Sequence, residues 1–180
     1  MCVLGLKEEN QHDNLMISPE EHTLPQLDEL RRDYVAAVDE PERAEQHYQT
    51  LQSHRSSLTP LLLAFYAGFE ALVAKHKWNP YDKLKLLNAA TEKFEQAVEQ
   101  ASGHAEIRFL RFSVEHYLPD FLKKNNHLEE DRRVIFQQFD ATLENTESRK
   151  AIARFMLESG RCGRAETKKY QTVLEAEKSK

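Results

Sequence analysis

An all-α fold, built as an irregular stack of helical hairpins, is what this sequence predicts, with a closed helical bundle as the alternative packing. Three observations carry it. Apolar residues recur at spacings of three and four along most of the chain, and no window shows the alternation and turn residues of strands. The six prolines stand where helices start or stop. Successive helix pairs begin near residues 24, 59, 104 and 146, about 35 to 45 residues apart, within the range of helical-hairpin repeats.

Residues 1–22 are mixed and polar, which predicts a poorly ordered or loosely docked segment ahead of one helical domain over residues 23–178. Thr23-Leu24-Pro25-Gln26 reads as a helix start, and Leu27, Leu30, Tyr34, Ala37 and Val38 mark one apolar face of a helix over about 24–38. Glu40-Pro41 restarts the chain, with Ala44, Tyr48 and Leu51 giving a thinner stripe to about Arg55.

The stretch Leu61–Ala74, LLLAFYAGFEALVA, has Glu70 as its single charge. A helix apolar on nearly every side belongs in the interior. Fourteen residues rise only about 21 Å, short of a bilayer core. Thr59 suits its N-cap and Pro60 its first position. Ala64, Ala67, Gly68, Ala71 and Ala74 form a small-residue stripe that lets a neighbouring helix approach closely. Asn79-Pro80 repeats the cap-and-proline start, and the apolar spacing then runs from Tyr81 to Ala101, with Gly103 expected as a left-handed terminator.

A helix over about His104–Leu118 is stopped by Pro119. Asp120–Lys124 allows one turn, and Asn126 with Glu129 predicts a capping box for a helix over about 127–140. Thr146 opens a seventh helix, closed by Gly160, and Gly163 precedes a last amphipathic segment.

Ala90, Phe94 and Ala97-Val98 resemble the second helix of a tetratricopeptide-type repeat, and His104–Phe112 the opening of the next, within about residues 80–112. The wider block, KHKWNPYDKLKLL through AEIRFLRFSVEHYLP, is similar to an uncharacterised bacterial family of small all-helical proteins. The resemblance implies a scaffold and carries no activity.

The composition, 40% apolar and 31% charged with mean hydropathy −0.70, is that of a soluble helical chain. A net charge of −5 argues against nonspecific nucleic-acid binding, which needs clustered Lys and Arg. Two cysteines, Cys2 and Cys162, make no disulfide framework, and MCVLGLKEEN is neither secretory signal nor membrane anchor, so the expected setting is cytoplasmic.

No phosphate loop, catalytic triad or cofactor motif is visible, and no cofactor is expected. The only Glu-x-x-His spacing is Glu9 to His12, without the second copy a di-metal site needs, so no metal is expected. Cys162, between Arg161 and Arg164, could be a lowered-pKa thiol or an unremarkable one. Arg108, Arg111 and Glu115 share one side of a helix. They could bind a peptide carboxylate or phosphate in a groove, or pair with acids of adjacent helices such as Glu70 or Glu99. Glu70 could be a perturbed acid or an ion-paired one. Trp78 and Tyr81 could form an aromatic recognition surface or simply pack, and the run Glu129–Arg133 reads as a solvated face.

These features lead to the expectation of a non-enzymatic helical-repeat interaction module that binds a protein or peptide partner, without nucleic acid or membrane. The alternative is a small-molecule-binding protein or enzyme with a pocket around Glu70, Arg108, Arg111 and His116.

Overall fold

The computed structural model describes residues 24–122 and 126–176. Among them are eight α-helices and no strand: α1 Leu27–Ala36, α2 Pro41–Ser53, α3 Pro60–His76, α4 Pro80–Gln100, α5 Ala105–His116, α6 Leu128–Thr142, α7 Thr146–Glu158 and α8 Arg164–Glu175. Short 3-10 turns occupy Arg55–Ser57 and Asp120–Leu122. Among the described residues no helix is long and apolar enough to cross a membrane. Residues 1–22, with Cys2 and the Glu9–His12 pair, lie outside the described residues.

Local chemistry sets several of the helix ends. The Thr59 hydroxyl accepts from Leu62 N–H and the Asn79 side chain from Tyr81 N–H, each just before a proline at the first helical position. Asn145 caps α7 by accepting from Ser148 N–H, so the helix opens at the expected Thr146. Gly160, at φ +66°, provides the left-handed residue after α7.

Three expected ends differ. Gly103 is not left-handed; Ala101, at φ −146° and ψ 62°, breaks the helix before it. The capping box of Asn126 and Glu129 does not form, because His127 is the N-cap residue and its backbone N–H is taken by Glu115 from α5. The first helix spans 27–36 rather than 24–38, starting after Gln26 without a side-chain cap.

α3 is the interior helix. Every residue from Ala64 to Ala74 is buried, Glu70 included, and α1, α2, α4 and α5 all pack on it. The small-residue stripe has a definite occupant. The Tyr34 ring from α1 lies over Gly68, and stands edge-on to Phe65 and Phe69. Further along α3, Ala71 and Ala74 pack with Leu87 and Ala90 of α4.

Packing is closest between chain neighbours, α3 with α4, α5 with α6, α2 with α3 and α7 with α8, while the expected first hairpin of α1 with α2 is only lightly packed because α2 docks on α3 instead. A first apolar core gathers α1–α5, and a second joins α5–α8 through Phe112, Ile135, Phe139, Ile152, Met156 and Tyr170.

The helices α1, α3 and α5 run in the same direction. Arg31 in the first half of α1 reaches Glu106 at the start of α5, and Lys75 at the end of α3 donates to the Val38 carbonyl beyond α1. Leu118 and Leu122, after α5, pack against the cluster that holds Ala74 and Leu87. The α1–α2, α3–α4 and α5–α6 corners therefore share one end of the stack.

Candidate functional site

The charges of α5 point inward. Arg108 and Arg111 are each 4% exposed, and both reach across to α6. Arg111 grips Asp131 with two hydrogen bonds, Nε to Oδ2 at 2.8 Å and Nη2 to Oδ1 at 2.6 Å. Arg108 donates from Nη1 to Asp131 Oδ1 at 2.9 Å and to Glu130 Oε1 at 2.8 Å, and from Nε to the Ser102 carbonyl. Asp131 is fully buried. A carboxylate there is tolerable only because two guanidinium groups neutralise it.

Burial works against the charged form of Arg111, but the hydrogen bonds and charge of Asp131 outweigh it, and its pKa is raised. The guanidinium of Arg108 holds Glu130 below the usual carboxylate range. Glu115 completes the seam. It accepts from His127 N–H at 3.0 Å and bonds His127 Nδ1 at 2.6 Å, while burial pushes its own pKa up. At the other end of α5, Glu106 receives Arg31 of α1 through two hydrogen bonds of 2.8 and 2.7 Å.

The remaining sequence candidates are placed separately. Glu70 pairs with Lys93 of α4 at 2.7 Å, and burial raises its pKa. That lysine also sits 4.9 Å from the Tyr66 ring centre. His116 stacks on Phe112 and accepts from Arg161 Nε at 3.0 Å, which leaves its ring neutral. Burial first, then the Arg161 charge, lowers the His116 pKa. Arg108 and Arg111 are brought together, but Glu70 and His116 are engaged with different elements. A cavity lined by Leu87, Ala90, Thr91, Phe94, Arg111, Val114, Glu115 and Leu118 measures about 10 Å³, room for roughly one water molecule.

Several expectations are corrected. The acids that pair with Arg108 and Arg111 are Glu130 and Asp131, not Glu70 or Glu99. The run Glu129–Arg133 is therefore not wholly a solvated face. Asp131 lies three residues after Leu128 and four before Ile135, both buried, and that stripe was a readable signal. Cys162 shows the opposite of activation: burial, and then the nearby Glu166 charge, push its thiol up to about 11. Trp78 and Tyr81 do not pack; they are 100% and 74% exposed.

The sequence reading missed one cluster. Ligand atoms of Glu29, Asp33 and His47 lie within 4.8 Å of one another. Both Asp33 oxygens are already engaged, one by Arg43 and one by His47, each at 2.7 Å. A cation would have to displace the Arg43 guanidinium. His47 itself is buried and stacked on Phe69, as its place between Ala44 and Leu51 on the apolar stripe of α2 implies.

No protein-family model, curated protein or solved structure matches the chain.

Proposed function

We propose that the chain is a non-enzymatic interaction module, built of helical hairpins, that binds a protein partner through the exposed aromatic corner between α3 and α4. The observation that carries this reading is Trp78, a fully exposed indole beside the exposed Tyr81 and Leu84. Soluble surfaces rarely leave such groups to water without use, and Trp and Tyr are the residues that most often anchor interfaces. The charged candidates support the same choice from the other side. Arg108, Arg111, Glu115 and Glu70 are engaged by neighbouring elements, which supports a structural role for them. The pocket reading around Glu70, Arg108, Arg111 and His116 has little support, because the cavity beside Arg111 holds about one water and includes none of the other three.

The test is comparative capture. Immobilised parent chain and a Trp78→Ser/Tyr81→Ser variant are exposed to native lysate, and bound proteins are identified by mass spectrometry. The expected result is an interactor retained by the parent and lost by the variant, with thermal stability changed by no more than about 0.5 kcal/mol. Equal capture by both proteins would overturn the assignment of this surface.

A further inference from the structure

We propose that His116 and Arg161 form a pH-sensitive latch, which fastens the α7–α8 corner to the end of α5 while the imidazole is neutral and releases it when the ring takes a proton. The latch is independent of what the Trp78 corner binds.

The corner, Ser159–Gly163, turns through the left-handed Gly160 and is stiffened by bonds within its own hairpin. The Ser159 hydroxyl and the Cys162 thiol both donate to the Met156 carbonyl. Arg161 N–H donates to Ser159 Oγ, and Gly163 N–H to Glu166 Oε2. Among the described residues, the corner's hydrogen bond to another part of the fold is the one from Arg161 Nε to His116 Nδ1, at 3.0 Å. Cys162 packs against the second core, so release loosens the corner without undocking the hairpin.

Aromatic rings fix where the imidazole points. His116 lies nearly parallel to Phe112, with ring centres 6.1 Å apart, and edge-on to Phe155 of α7 at 5.8 Å and to Tyr117 at 4.9 Å. The neutral ring accepts at Nδ1 and keeps its proton on Nε2. Once protonated it donates from both nitrogens. A second N–H and a second positive charge then meet the Arg161 guanidinium, and the bond becomes a repulsion. No acid is placed to soften this. Arg161 has no carboxylate partner among the described residues, and the neighbouring Glu115 is turned to His127 instead. The groups facing His116 are thus the Phe112 and Phe155 rings, the Tyr117 phenol ring and the Arg161 charge. Burial, and then that charge, lower its pKa from the ordinary 6.5, which sets release on the acid side of neutrality.

Nuclear magnetic resonance on the full, isotope-labelled chain tests the latch. At about pH 7.5 the His116 imidazole should be the Nε2–H tautomer. Its protonation midpoint should lie below the ordinary 6.5, and the amide resonances of Gly160–Gly163 should titrate with that same midpoint. His116→Phe should abolish the titration of those amides. Arg161→Met removes the like charge and should raise the proton affinity of His116 by about threefold or more. It should also hold the corner amides near their acid-state positions at neutral pH. Both variants report separately, so a failure of His116→Phe to fold leaves the Arg161→Met result to decide. An Nδ1–H tautomer, a His116 midpoint that Arg161→Met leaves in place, or corner amides that do not follow His116 would each overturn the proposal.

Discussion

The Tyr34 ring occupies the place where Gly68 has no side chain: a Cβ built there would stand 2.7 Å from Tyr34 Cε2 and 3.0 Å from its hydroxyl oxygen. This contact lets α1 lie directly on the interior helix. The ring is held between Phe65 and Phe69, so it has little freedom to withdraw. Burial, only partly offset by the contact with Ser113, pushes the phenol up to about 12.

Helix propensity and packing therefore make opposite predictions for Gly68→Ala. An alanine inside a helix is favoured over glycine by about 1 kcal/mol. The clash with a confined aromatic ring costs about 1–3 kcal/mol in typical overpacked cores. The expected outcome is net destabilisation in urea unfolding, relieved when Tyr34 is also changed to Val. A more stable Gly68→Ala protein would mean that the α1–α3 approach is looser than described.

The other side of α3 makes a second test. Ala71 is 6% exposed and packs against Leu87 and Ala90, so Ala71→Leu should cost about 1–3 kcal/mol. Gln52 is exposed on α2, and Gln52→Leu should stay within about 0.5 kcal/mol of the parent. Equal melting temperatures for the two variants would contradict the placement of the core.

These two tests concern features written plainly in the chain. The unbroken apolar run of Leu61–Ala74 implied an interior helix, and Thr59-Pro60 and Asn79-Pro80 marked helix starts by side-chain chemistry that acts within a few residues. The partners of Arg108 and Arg111 were harder to read because they stand about twenty residues away, on a helix whose docking depends on tertiary packing. In Glu129–Arg133 every residue is charged, and only the register with Leu128 and Ile135 separates Asp131 from its neighbours. Trp78 was harder still. It sits at a corner, outside any periodic pattern, so its exposure is set by where neighbouring elements end.

Acidification should weaken the fold before the carboxylates titrate. Burial lowers the pKa of both His104 and His116 from the ordinary 6.5; around His104 the Arg31 charge adds to the effect and Glu106 opposes it, and at His116 Arg161 adds to it. A histidine whose folded pKa is depressed favours the native state above its unfolded pKa. That contribution is lost as pH falls below about 6.5, because the unfolded chain takes the proton first. The melting temperature should therefore drop between about pH 7.5 and 5.5. His116→Phe keeps an aromatic ring against Phe112 and removes one titrating group, so its drop should be smaller. Superimposable pH profiles for parent and variant would contradict this account of His116.

The last prediction concerns Arg111 and Asp131. If the buried pair belongs to the fold, Arg111→Met takes two of the three guanidinium hydrogen bonds from a carboxylate that has no exposure to water and leaves it with Arg108 alone. Breaking a buried pair from one side costs about 3–5 kcal/mol. Asp131→Leu should be comparably harmful, since it leaves both guanidinium groups without their common acceptor. Removing all three charges together, as Arg108→Met/Arg111→Met/Asp131→Leu, should cost less than the single changes summed, because no uncompensated charge remains inside. Glu130 keeps exposure to water and can lose Arg108 at small cost. Urea unfolding of the single and triple variants measures these differences directly. A ligand-binding pair would behave differently. Its two like charges would destabilise the free protein, and Arg111→Met would be as stable as the parent or more so. That result would return Arg108 and Arg111 to the list of binding residues.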